Sequence, residues 1–299
     1  MDIILQILQV ILSGVEYFLV IYFFLSILYV FIFSFAGLFY RKRKKLANPK
    51  KGAFAVFIPA YKEDDVIVDV AKNALKQDYP SDLFDVVVIA DSMQDQTIEN
   101  LKKLPIKVVE VSFENSTKTK ALNAAMSSLK RAYDFALILD ADNIMEYEFI
   151  SKINNSFQRG YRAVQGHRMA KNLNTSFAVL DAASEEINNH IYRKGHRVLG
   201  FSSGLIGSGM AFDYNLFKSI MSGIKAIGGF DKELEVLIEV AVTNSSIPKG
   251  SYSLIFDPPG EGTETNYQKV QHYWGDFDYE LTDLDENKIP EFKGVDGRF

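Results

Sequence analysis

From Tyr17 to Tyr40 the chain has no charged residue and consists almost entirely of Phe, Leu, Ile, Val and Tyr. In hydrocarbon a segment like this must satisfy every backbone N–H and C=O within itself, and a helix does so. At about 1.5 Å per residue, a helix over this stretch crosses the roughly 30 Å apolar layer with length left for tilt. A signal peptide fits poorly, because the positive charges follow the apolar run and the run is too long. A buried core helix fits poorly too, because the segment is apolar all round. Met1 to Ser13 is also apolar, with Asp2, Gln6 and Gln9 interspersed, and either extends the helix or lies in the interface. Arg41-Lys42-Arg43-Lys44-Lys45 follows at once. The positive-inside rule then predicts a single-pass anchor over residues 1–45 in the cell membrane, with the rest of the chain cytoplasmic.

The 299 residues, 47% of them hydrophobic, can bury a substantial core beyond this anchor. There is no cysteine, which excludes disulfides and thiolate metal sites. A net charge of -5 argues against a nucleic-acid partner.

Past the anchor, apolar strands alternate with helical patterns. Ala53 to Ile58 reads as a buried strand ended by Pro59, and Asp64 or Asp65 as the cap of a helix reaching about Gln77. Phe84 to Ala90, Ile106 to Val111 and Phe135 to Leu139 read as further strands. Thr97 to Lys103 and a segment starting at Asn115-Ser116 read as the helices between them. This alternation predicts an α/β fold with a largely parallel sheet, whose ligands bind beyond the carboxyl ends of the strands.

Polar clusters fall at those ends: Pro59 to Glu63, Asp91-Ser92, Lys118 and Lys120, then Asp140-Ala141-Asp142. On an extended chain, side chains at i and i+2 point the same way, so Asp140 and Asp142 can share a divalent cation. An Asp-rich turn is the alternative. An aromatic ring, carboxylates and ammonium groups from four strand ends suit a nucleoside diphosphate with its cation. Lysine and metal neutralise phosphate, while Tyr61 and a carboxylate engage base and ribose. No Gly-x-Gly-x-x-Gly follows the first strand and no Walker loop occurs, which disfavours dinucleotide oxidoreductases and P-loop NTPases. A phosphatase with an Asp-x-Asp nucleophile is disfavoured by Ile144 two residues on and by the motif's place on the fourth strand.

Five stretches together resemble membrane-bound family 2 glycosyltransferases of the GT-A type, the broad group of the cellulose, chitin and hyaluronan synthases. They are Ile58 to Asp64, Val88 to Ser92, Lys118 to Ala124, Leu139 to Asp142, and Gly207-Ser208-Gly209-Met210-Ala211-Phe212. The resemblance implies a GT-A domain over residues 46–245, with a Rossmann-like, mostly parallel sheet. It also implies inverting transfer of a sugar from a nucleotide-sugar donor, often UDP-linked, to a hydroxyl of a glycan or lipid-linked acceptor at the membrane. By position, it puts Pro59, Tyr61, Glu63, Asp91, Lys118 and Asp140 on the nucleotide sugar, and Asp142 with Asp140 on Mg2+ or Mn2+ at the pyrophosphate. Gly207, Ser208 and Gly209 fall on the acceptor side. The general base becomes Asp231, in Gly228-Gly229-Phe230-Asp231, where Phe230 replaces the family's usual acid. A helix N-cap is the alternative role for Asp231.

Ser176 to Arg197 reads as one long helix with Arg193, Lys194, His196 and Arg197 near its end. Those cations serve either an acceptor or lipid phosphate, or simply the negative helix end, and the second is the preferred expectation. His190 and His196, six residues apart, do not share a helix face, so no metal site is expected there.

Residues 246–299 differ in character. Residues 247–299 hold four of the eight prolines, and 11 acids against 5 bases, too polar for a membrane helix and in part irregular by expectation. Where the family carries Gln-x-x-Arg-Trp, this chain keeps Trp274 but has Val270 and Tyr273. The segment reads as a replaced, truncated or frame-shifted ending. A catalytically impaired nucleotide-sugar-binding protein that partners another synthase is the alternative function.

Overall fold

A computed structural model describes residues 2–41, 45–224, 229–243, 252–255 and 272–274. Lys42 to Lys44, Gly228, Val270 and most of residues 246–299, on which expectations were placed above, lie outside the described residues.

Helix α1 (Asp2–Gly37) is long and apolar enough to cross a membrane, consistent with a single-pass anchor. Its first turns continue the helix, and it stops three residues short of Tyr40. The chain then enters an α/β unit: β1 (Phe54–Tyr61), α2 (Ile67–Ala74), β2 (Phe84–Asp91), α3 (Asp95–Lys102), β3 (Lys107–Val111), α4 (Lys118–Ser128), β4 (Phe135–Ile138), β5 (Ile144–Met145), α5 (Phe149–Phe157), β6 (Ala163–Gly166) and β7 (Arg168–Ala170). Next come α6 (Ser176–Asn188), a π-helical segment (Asn189–Gly195), α7 (His196–Val198), β8 (Met210–Asp213), α8 (Tyr214–Met221), α9 (Phe230–Thr243), β9 (Tyr252–Ile255) and β10 (His272–Trp274).

Seven strands form one sheet in the order β3-β2-β1-β4-β8-β6-β9, and β5, β10 and β7 form a second. Among the described strands of the large sheet, only β8 runs against the rest, pairing antiparallel with both β4 and β6. The sheet is therefore mixed, and largely parallel as expected. Period-2 alternation places successive residues on opposite faces. Phe54, Val56 and Ile58 pack with Val70, Leu101, Phe149 and Ile153 under α2, α3 and α5. Ala55 and Phe57 pack with Leu122, Ala125, Phe217 and Leu234 under α4, α8 and α9. The five residues Phe54 to Ile58 are all fully buried, as a strand between two helical layers requires.

Two local expectations change. β1 does not stop at Pro59 but runs to Tyr61, in register with β2 up to Tyr61 opposite Asp91. Proline is tolerated there because the pairing of β1 with β4 has already ended at Phe57 opposite Ile138. Asp64 does not cap α2, whose preceding residue Val66 makes no side-chain cap. Its Oδ1 instead accepts from the Gln94 N–H at 2.9 Å, tying down the loop before α3.

Residues 176–198 are helical throughout, but a π-helical turn interrupts the run. That turn packs on the end of α1. His190 Nε2 lies 2.8 Å from the Ser34 carbonyl, and His196 Nε2 lies 2.6 Å from the Tyr29 hydroxyl. Arg193 is buried and donates to Glu185 at 2.9 Å and to Asn189, while Arg197 donates to the Tyr161 hydroxyl. Arg193 thus sits in a buried pair rather than at a solvated helix end, because the π turn swings it inward.

Below the linker, Lys152 donates to both oxygens of buried Glu146 at 2.9 Å, and Lys45 donates to Glu148 at 2.8 Å. Burial pushes the Glu146 carboxyl up to about 7 against the pull of Lys152. With its folded value above its unfolded one, the stability from protonated Glu146 is full below the usual carboxylate range and is lost as pH rises through about 7. Lys152→Met should therefore cost about 3 kcal/mol at pH 8, where an unpaired carboxylate is left buried. It should cost clearly less at pH 5, where Glu146 takes a proton; chemical unfolding at the two pH values checks this.

Candidate active site

The sheet order reverses between β1 and β4: from β1 the chain adds β2 and β3 on one side, then returns to place β4 on the other. A crevice opens at such a point beyond the carboxyl ends of the strands. The candidate residues gather along this edge.

At the end of β1, Tyr61 is exposed, with the Lys62 ammonium 5.0 Å from its ring centre. Lys62 and Ser92, each the first residue past its strand, share a positive φ of 55°. The Lys62 N–H donates to the Asp91 carbonyl at 3.2 Å, so the two strand ends turn together. Glu63 and Pro59 are half-buried beside them. Asp91 is 3% exposed and accepts from Ser92 Oγ at 3.0 Å and from Ser116 Oγ. Its carboxylate is thus fixed in place. Ser116, expected to start a helix, instead orients Asp91, and Thr117 is the cap, accepting from the Lys120 N–H at 3.2 Å.

Lys118 opens α4, and its Nζ donates to Asp140 Oδ1 and, at 2.6 Å, to the Gly207 carbonyl. The Phe230 ring centre lies 5.2 Å from the same ammonium. Asp140 and Asp142 do not reach the site as alternate residues of a strand, since β4 ends at Ile138. They sit on a turn closed by the Asn143 N–H donating to the Asp140 carbonyl at 3.1 Å. The extended-chain reason for pairing them is corrected, because the turn sets their geometry. Asn143 Nδ2 donates to Asp142 Oδ1 at 2.6 Å. One oxygen of each aspartate is so engaged, and the other has no hydrogen-bond partner among the described residues.

The Gly207-Ser208-Gly209 loop holds this turn from behind. Gly207 and Gly209 have φ of 80° and 59°, a region that favours glycine. Buried Ser208 Oγ accepts from the Asp140 N–H at 2.9 Å, and buried Gln165 grips the loop by donating to the Ser208 carbonyl at 2.9 Å. Gln165 was missed in the sequence; a lone glutamine inside an apolar strand was its only signal. Ser208→Ala should orphan the Asp140 N–H and lower stability by about 1–3 kcal/mol, read by thermal unfolding. Loosening of the aspartate turn should weaken cation-dependent nucleotide binding at the same time.

Asp231 stands in the first turn of α9, half-buried and without a hydrogen-bond partner among the described residues. It follows Phe230, which touches Lys118, so the start of α9 borders the cluster. Lys232 and Glu235 fasten α9 to the Leu205 backbone, at 3.1 Å to its carbonyl and 3.0 Å from its N–H.

No cluster of three His, Cys, Asp or Glu side chains suited to a metal occurs among the described residues. The set present is two carboxylates, each with an open oxygen. It fits a cation of the Mg2+ kind, which takes one or two carboxylates and completes its shell from substrate phosphate and water.

Residues 49–241 match the family described as glycosyltransferase-like family 2. The chain belongs to that family. Among curated relatives, 99 residues are 29% identical to the poly(ribitol-phosphate) beta-N-acetylglucosaminyltransferase TarS of Staphylococcus aureus, covering 32% of this chain and 17% of that protein. A 111-residue alignment is 27% identical to a dolichyl N-acetyl-alpha-D-glucosaminyl phosphate 3-beta-D-2,3-diacetamido-2,3-dideoxy-beta-D-glucuronosyltransferase of Methanococcus voltae, covering 35% of this chain and 34% of that one. The matches span about a third or less of these relatives' own lengths. In fold, the chain is similar to the mannosyltransferase PcManGT of Pyrobaculum calidifontis, solved with GDP-Man and Mn2+. That similarity has a TM-score of 0.50 at 17% identity, over 76% of this chain and 64% of that one. Family 2 membership supports sugar transfer in general.

Proposed function

We propose that residues 46–245 form a GT-A glycosyltransferase domain. It transfers a sugar, with inversion, from a nucleotide-sugar donor to a hydroxyl of a glycan or lipid-linked acceptor at the cytoplasmic face of the membrane that α1 anchors. The observation that carries this is the meeting, at one sheet edge, of Asp91, Lys118 and the Asp140–Asp142 turn, held by the Gly207–Gly209 loop.

In this reading buried Asp91, with Tyr61, Glu63 and Pro59 around it, receives the nucleoside. Lys118, whose ammonium donates to Asp140 Oδ1 and the Gly207 carbonyl, would turn to a donor phosphate when nucleotide binds. Asp142 and Asp140 would hold Mg2+ or Mn2+, which when bound would act as a Lewis acid toward the charge developing on the leaving diphosphate. Asp231 takes the proton from the acceptor hydroxyl as that oxygen attacks the anomeric carbon and the diphosphate leaves. A UDP-linked donor is the first choice. The neighbour from Pyrobaculum calidifontis was solved with GDP-Man and Mn2+, so GDP-sugars belong in the same panel.

The test is to incubate the purified full chain in lipid with a panel of UDP- and GDP-sugars and Mn2+, with native membranes as acceptor source, and to follow products by mass spectrometry. A sugar-bearing product that Asp142→Ala abolishes is expected. Binding of a donor without turnover across the panel would instead support a nucleotide-sugar-binding partner of another synthase, the reading that Val270 and Tyr273 motivate in the sequence.

A further inference from the structure

Helix α1 has 36 residues and is about 54 Å long, far more than a bilayer's apolar layer. Its last turns are taken up by the protein itself: Phe33, Ala36 and Gly37 are buried, and Tyr29 reaches His196. The stretch left for lipid is Ile3–Leu28, in which every apolar side chain is exposed. Glu16 falls at the middle of that stretch, where a carboxylate is costly and calls for a partner.

Glu16 is not isolated. Between Asp2 and Leu28 the residues that carry a carboxyl, an amide or an aliphatic hydroxyl, apart from Ser26, whose hydroxyl donates to the Tyr22 carbonyl at 2.8 Å, belong to one series: Asp2, Gln6, Gln9, Ser13 and Glu16, spaced by four, three, four and three. That is the a/d spacing of a left-handed helix pair. At about 100° per residue the series lies within roughly 80° of arc, centred about 150° from Tyr29, Phe33, Ala36 and Gly37. The protein's own domain therefore grips the opposite face. Gln6, Gln9, Ser13 and Glu16 have no side-chain hydrogen bond among the described residues.

We propose that α1 pairs within the bilayer with the α1 of a second copy of this chain through this seam. All copies insert in the same direction, so each seam residue meets its own kind at the same depth. An amide both donates and accepts and is complementary to itself, as is a hydroxyl. Without a hydrophobic force between helices in lipid, such polar contacts and close packing supply the association. At the Glu16 level the two carboxylates oppose each other, and the Ser13 hydroxyls, three residues away on the same seam, are the nearest seam donors in sequence.

The chain has no cysteine, so single substitutions report proximity without background. In native membranes containing the full chain, oxidation should yield disulfide-linked dimers for Gln6→Cys, Gln9→Cys and Ser13→Cys. It should yield none for Ile4→Cys, Ile11→Cys and Val15→Cys, because a disulfide needs Cβ atoms within about 4 Å. Equal linking on both faces, or no dimer at seam positions, overturns the proposal. Adding Glu16→Gln to Gln9→Cys replaces a like-charge contact with an amide pair and should raise the dimer yield severalfold. A fall in yield would point to a cation-bearing helix of another protein, and would overturn pairing with a second copy.

Discussion

Asp231→Asn should lower kcat by about 10²- to 10⁴-fold while leaving donor binding nearly unchanged, the range expected when a general base is lost. The asparagine keeps the shape of the first turn of α9 and can still sit at a helix N-terminus. If Asp231 served only the helix end, the change would cost about 0.3–1 kcal/mol of stability and little rate. The proposed base is half-buried without a hydrogen-bond partner among the described residues, whereas Asp91 and the Asp140–Asp142 turn, which hold the donor in the same reading, are separately anchored. Single-turnover rates and nucleotide-sugar affinity, measured on the same preparation, separate chemistry from binding. A parallel fall in both would assign Asp231 to structure.

Gly195→Val should be the most damaging substitution outside the active site. A Cβ at Gly195 would collide with the Phe33 carbonyl, so the backbones of α1 and the π-helical segment touch there with no side chain between them. Gly37 repeats the arrangement from the other side, its added Cβ meeting His190 Nε2 at 2.8 Å. Backbone cannot retreat as a flexible side chain can, so overpacking here should cost about 3 kcal/mol, the upper end of the usual range. The expected result is a lowered unfolding temperature in detergent and faster proteolysis between the anchor and the catalytic unit. Gly223→Ala, whose added Cβ meets only ordinary contact at 3.5 Å from the Ile220 carbonyl, is the control expected to change neither.

Much of this arrangement was legible in the sequence where the signal is local. Buried strands flanked by two helical layers must be apolar at every position, and Phe54 to Ile58 and Val86 to Ala90 are. Their polar ends fell on the crevice edge because a parallel sheet puts them there. What was not legible depended on partners distant in sequence. Nothing near Asp64 shows that it will accept from Gln94 rather than cap α2. The turn at Asp140–Asp142 depends on Ser208 and Gln165, which are brought in by the antiparallel strand β8 and its neighbour β6. The π turn at Asn189–Gly195 has the composition of an ordinary helix, and it packs against the end of α1, far from it in sequence. The small sheet likewise unites β5 and β7 with β10, where Trp274 stands opposite Met145 and Arg168. An acidic, proline-containing tail gave no hint of that pairing.

The most direct measurement is calorimetry of UDP and GDP binding to the full chain, with and without Mn2+, in wild type and Asp142→Ala. A nucleoside diphosphate that binds wild type tightly only when Mn2+ is present, and binds Asp142→Ala weakly with or without it, is the predicted result. Binding that is indifferent to both the cation and Asp142, or absent for both nucleotides in protein shown to be folded, would contradict a cation-assisted nucleotide-sugar site at this edge of the sheet.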